Sequence, residues 1–178
     1  MPEDPGAARV DVAAWLDALP TGAARDALSR CCGARRWVSG MLDRRPFGSP
    51  SSLVAVAREV WAALDPEDIV EAFSHHPTIG ADLAGLRARF DRTRDWSNDE
   101  QSGVACADEQ TLRDLEEANR AYRARFGYIF IVCASGQSAQ AMLEALRARL
   151  PNDPDAELRI AAGEQAKITE LRLGKLGR

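Results

Sequence analysis

Apolar positions recur along this chain at helical spacing. Val10, Ala13, Trp15, Leu16 and Leu19 mark a first helix, which Pro20 ends. Trp37 sits on an early helix whose exit loop carries Arg44, Arg45, Pro46 and Phe47. Leu53, Ala57, Val60, Trp61 and Leu64 repeat at the same period after Gly48-Ser49-Pro50-Ser51-Ser52, a turn that offers N-caps. Asp65-Pro66 opens a short helix with Ile69, Ala72 and Phe73 inward, and Leu83, Leu86 and Phe90 start another. Leu112, Leu115, Ala118, Asn119, Tyr122 and Phe126 share one face of a long helix that Gly127 closes. Ala139, Met142, Leu143, Leu146 and Leu150 form a stripe ended by Pro151. A last helix begins near Asp155, with Ala161, Ile168 and Leu171 as its apolar residues.

One segment breaks the period. Tyr128-Ile129-Phe130-Ile131-Val132-Cys133-Ala134 is a β-branched apolar run between Gly127 and Gly136. Propensity alone reads it as a buried strand. No second run pairs well with it, and a lone strand leaves its backbone groups unsatisfied. The expectation is an extended connector or a helical turn threaded through the core, with amides open to a ligand. The dominant period points to an all-α fold; the length allows one domain or a domain plus a small subdomain, and a single compact multi-helix domain over residues 9–178 is expected. Residues 1–8, rich in Pro, Gly and acid, form a flexible N-terminal arm.

Composition narrows the function. With 178 residues, 46% of them hydrophobic, the chain buries a sizeable core. A net charge of −4 argues against a nucleic-acid partner. No run of about 18 apolar residues spans a membrane, and no secretory leader is visible, so a cytoplasmic location is expected. Cys31, Cys32, Cys106 and Cys133 lack the spacing of a metal site or a disulfide framework, which leaves reduced, mostly buried thiols.

Candidate chemistry gathers at Ser74-His75-His76-Pro77-Thr78-Ile79-Gly80, because the two histidines of the chain both lie there. Imidazole titrates near neutrality and is the usual proton carrier. Pro77 fixes its own φ and disfavours the helical conformation at His76, so the ring projects from a stiff corner. His76 is thus a candidate general acid or base; its structural alternative is a helix-end or core histidine. His75 points elsewhere in either case. Ser97, Glu100 and Gln101 stand at i, i+3 and i+4 and share a helix face. They suit one polar ligand, while Ser97 with Glu100 also reads as a capping box. Arg87, Arg89, Arg92 and Arg94 have the look of a solvated face. Arg172, between Leu171 and Leu173, either snorkels to water or pairs with an anion such as a carboxylate.

The order His-Pro-x-Ile-Gly, Ser-x-x-Glu-Gln-x-Gly, Asn-x-x-Tyr-x-x-x-Phe-Gly-Tyr-x-Phe-Ile and a C-terminal Ile-x-x-Leu-Arg-Leu resembles the OHCU decarboxylase family, where OHCU is 2-oxo-4-hydroxy-4-carboxy-5-ureidoimidazoline. The likeness runs from about Val10 to Leu176 and includes Arg45-Pro46-Phe47. It implies an all-helical homodimer that uses no cofactor and no metal and converts OHCU to (S)-allantoin in urate catabolism. By the same resemblance His76 and Glu100 are catalytic. Pro77, Ser97, Gln101, Phe130, Ile131, Val132, Cys133, Ala134 and Arg172 are substrate-binding. Gln137 departs from the family, where many relatives carry a basic residue. The competing class is a non-catalytic helical interaction module.

Overall fold

The computed structural model describes residues 11–76, 109–133 and 137–177. Among them the chain forms eight helices and no strand. These are α1 (Val12–Ala18), α2 (Thr21–Cys31), α3 (Arg35–Asp43), α4 (Pro50–Ala62), α5 (Pro66–Ser74), α6 (Glu109–Phe126), α7 (Ala139–Arg149) and α8 (Pro154–Leu173). The helix expected around Leu83–Phe90 and the arm at 1–8 lie outside the described residues. The chain divides into two compact units, one formed by Met1–Ala72 and Ala166–Arg178, the other by Phe73–Gln165. The unit boundaries fall inside α5 and α8.

The first unit is an assembly of helices around an apolar core. Leu16, Leu28, Trp37, Met41 and Leu53 are at most 2% exposed in one cluster. Asp11 caps α1 by accepting from the amides of Ala13 and Ala14 at 3.0 and 3.1 Å. Ser49 caps α4, accepting from the Ser52 amide at 3.1 Å with Pro50 in the first turn. Arg45 closes the end of α1, its Nη2 donating to the carbonyls of Leu16, Asp17 and Leu19 at 2.6–2.8 Å. The Asp17 carboxylate returns the contact by accepting from the amides of Phe47 and Gly48.

Pro20 follows the last cap residue of α1, as expected, and is also the cap residue from which α2 departs. The apolar pattern does not reveal α2, because its buried face is built mainly from Ala24, Ala27, Leu28 and Cys31. Small side chains give little hydrophobic contrast for a periodicity to reveal.

The second unit shows the sequence stripes almost unchanged. Leu112, Leu115, Ala118, Asn119 and Tyr122 are buried on α6, and Gly127 ends it at φ 80°. Ser138 caps α7, accepting from the Ala141 amide at 3.2 Å, and Ala139, Met142, Leu143 and Leu146 are buried. Phe130 packs edge-on to Tyr122 at 5.2 Å between ring centres.

α8 departs from its expected face. Its buried residues are Glu157, Ala161, Gln165, Thr169 and Leu173, a run at i, i+4 with three polar members. Leu171 is 45% exposed and does not face the core. Helical neighbours differ by about 100° in direction, so Leu171 and Leu173 cannot both mark the face that flanks Arg172.

Candidate active site

α5 ends just before the two histidines. α5 has Glu67 and Asp68 in its first turn, where carboxylates favour a helix N-terminus. Its far end buries Ala72 and Phe73, then breaks after Ser74. The His76 amide closes the turn on the Phe73 carbonyl at 3.1 Å. His75 is exposed and His76 is half-buried. His76 Nε2 lies 2.5 Å from Oε1 of Gln165, whose side chain is fully buried on α8.

The apolar run is an extended connector without regular secondary structure from Ile129 to Cys133. Phe130, Ile131 and Val132 are buried. Side chains stand in for a neighbouring strand. Arg149 Nη1 donates to the Ile131 carbonyl at 2.9 Å, and its guanidinium lies 4.6 Å over the Phe130 ring. The Cys133 amide donates to Glu164 Oε2 at 2.7 Å, and Gln137 Nε2 donates to the Cys133 carbonyl at 3.4 Å. At Cys133, therefore, the chain's own carboxylate takes the amide that the sequence had suggested would meet a ligand.

Arg149 is itself anchored. Glu157 is fully buried and accepts from Arg149 Nε and Nη2 at 2.8 and 2.6 Å, from the Tyr122 hydroxyl at 2.5 Å and from Asn152 Nδ2 at 2.8 Å. A carboxylate removed from water is stable only with such a full set of donors. Burial pushes the Tyr122 hydroxyl far above its usual range, and the Glu157 hydrogen bond adds to the shift.

Arg172 belongs to the first unit. Its Nη1 donates to the Cys31 carbonyl at 3.3 Å and lies 3.5 Å from that of Arg30, in the last turn of α2. A guanidinium suits the negative end of a helix dipole. Next to it Cys31 and Cys32 are buried, and burial raises their thiols to about 12 and about 11. Such thiols are protonated and unreactive at neutral pH. Pro77, Ser97, Glu100, Gln101 and Ala134 lie outside the described residues.

Sequence reasoning missed Glu164 and Gln165. These consecutive residues of α8 hold the connector and the histidine ring respectively. The available signal was the polar character of α8 itself: Glu157, Gln165 and Thr169 repeat at helical spacing on a face with few large apolar residues.

The sequence profile of the OHCU decarboxylase family matches residues 17–174. The chain belongs to this family. It is 39% identical over 147 residues to the uric acid degradation bifunctional protein TTL of Arabidopsis thaliana, covering 82% of this chain and 45% of that protein. It is 34% identical over 102 residues to the mouse 2-oxo-4-hydroxy-4-carboxy-5-ureidoimidazoline decarboxylase, covering 57% and 56% of the two chains. The chain thus spans about half the length of these curated relatives. A crystal structure of OHCU decarboxylase in the presence of (S)-allantoin superposes with a TM-score of 0.68 at 36% identity, over 85% of this chain and 96% of that one. The all-helical fold agrees with the expectation from sequence. Among the described residues no helix is long and apolar enough to cross a membrane.

Proposed function

We propose that this member of the OHCU decarboxylase family decarboxylates OHCU to (S)-allantoin in urate degradation. The observation that carries the proposal is the match along nearly the whole length of a solved OHCU decarboxylase. The half-buried His76, seated on a buried amide, supports it as a proton carrier.

The substrate carries its carboxylate and hydroxyl on one ring carbon beside a carbon–nitrogen double bond. As CO2 leaves, the electrons of the broken carbon–carbon bond flow toward the imine nitrogen, which takes up the one proton the reaction consumes from solvent. The substrate is its own electron sink, so no cofactor enters the proposed chemistry. The enol then yields its hydroxyl proton and gains one on a single face of the ureido-bearing carbon. His76 manages this proton traffic. Glu100 orients or relays it, and Ser97 and Gln101 hold ring and ureido atoms. Pro77 and the Phe130–Ala134 segment (Phe130, Ile131, Val132, Cys133, Ala134) line the ligand. Arg172 anchors an anionic or carbonyl group. Holding the carboxylate out of the ring plane, away from water, favours CO2 loss.

A homodimer in the cytoplasm belongs to the same proposal. Each unit exposes a large apolar side chain, Ile160 at 42% and Leu171 at 45%, and such side chains suit self-association. Sedimentation equilibrium tests the dimer.

Freshly prepared OHCU tests the activity. The protein is expected to accelerate its loss and to give allantoin with a circular-dichroism signal, because the uncatalysed reaction gives racemate. Racemic product at the uncatalysed rate would reduce the chain to a binding module. His76→Ala is expected to lower turnover by about 10² to 10⁴ while keeping the helical spectrum. Wild-type turnover in that variant removes His76 from the chemistry.

A further inference from the structure

We infer that Gln165 is a positioning residue that fixes the tautomer of His76, with the proton on Nε2, so that Nδ1 exchanges protons with the substrate. This rests on the proposal that His76 is the proton carrier.

Gln165 Oε1 and His76 Nε2 are 2.5 Å apart. An amide oxygen has no hydrogen to give, so the proton in this contact belongs to Nε2. A neutral imidazole carries one N–H, which leaves the lone pair on Nδ1. The opposite tautomer would set two lone pairs against each other beside a fully buried amide, an arrangement that burial penalises.

The support is stiff. Gln165 lies well inside α8 (Pro154–Leu173), and its neighbour Glu164 binds the Cys133 amide of the connector at 2.7 Å. One helical turn therefore sets both the ring and the connector. After CO2 has left, Nδ1 accepts the hydroxyl proton as the carbonyl forms. It then delivers a proton to the ureido-bearing carbon. Nε2–H stays on Gln165 throughout, and its hydrogen bond strengthens while the ring is cationic. A neutral amide supplies this orientation without adding a charge to the site.

Long-range proton–nitrogen correlation spectra of the uniformly ¹⁵N-labelled protein test the assignment. The chain has 2 histidines, so a His75→Gln variant identifies the signals of His76. On the alkaline side of its titration, His76 is expected to show a protonated Nε2 and an unprotonated Nδ1. A protonated Nδ1 in the wild type would overturn the inference. Gln165→Leu is expected to mix the tautomers and lower kcat by about 10- to 100-fold with KM little changed. Gln165→Glu, which keeps an acceptor oxygen, should recover most of that loss. An unchanged tautomer and kcat in Gln165→Leu would also overturn it. If Gln165→Leu does not fold, the wild-type spectrum decides alone. An Nε2–H spectrum together with full turnover by His76→Ala would defeat the catalytic role while leaving the ring's orientation on Gln165 established.

Discussion

The two units of this chain solve the burial problem differently. In the first, the cores of α1 to α4 are apolar, and polar side chains serve mainly as caps and clasps at helix ends, as Asp11, Asp17, Arg45 and Ser49 do. In the second, a carboxylate and an amide are buried, and a nearly buried guanidinium donates to the apolar connector. A regular helix satisfies its own backbone, whereas an extended segment without a neighbouring strand must borrow partners from side chains. Those borrowed partners sit where the candidate chemistry does. Arg149 and Glu164 hold the connector, and Gln165 holds His76.

Cutting the polar network is the strongest way to break this contrast. Glu157→Ala strands Arg149 and the Tyr122 hydroxyl in a buried site, and a cost of about 3–5 kcal/mol is expected in urea unfolding. A loss below 1 kcal/mol would show that the network is not what holds the second unit. The double variant Arg149→Met with Glu157→Leu sharpens the point, since an apolar replacement of a buried pair is often neutral or stabilising. It should regain stability without regaining turnover, because the Ile131 carbonyl has lost its donor. Full activity in the double variant would make Arg149 purely structural.

A core truncation in the first unit supplies the matching control. Leu28 is fully buried, and Leu28→Ala is expected to cost about 2–5 kcal/mol through lost transfer energy and a cavity. KM and kcat measured well below the unfolding transition should stay near wild type. A large change in kcat would mean that this core carries the proposed Arg172 anchor, which rests on the end of α2.

The smallest effect concerns alkaline pH. Burial raises Cys31 and Cys32 from 9.0 to about 12 and about 11. Below pH 9 both states of the chain hold these protons. Between about 9 and about 11 the unfolded chain loses them while the folded chain keeps them, so the folded state binds more protons and stability falls as pH rises. Urea midpoints measured across that window should decline, and a Cys31→Ala, Cys32→Ala variant should show a shallower slope. An identical slope in the variant would assign the decline to other groups, such as Tyr122.

The chain's own order of residues determined the helical class and the ends of α4, α6 and α7. Each depends on near neighbours: a cap three residues away, a glycine with φ 80°, a stripe at helical spacing. It also marked the 128–134 run as a segment that could not pair with a strand. Tertiary structure decided what paired with it instead. Gln165 stands 89 positions from His76, and Glu164 stands 31 from Cys133. No local period links such residues; packing brings them together. α8 shows the same division, since its helicity was legible and its polar buried face was not. Hydrophobicity identifies a buried face only when burial is apolar, and here the buried positions carry hydrogen-bonding groups that become stable only once their distant partners arrive.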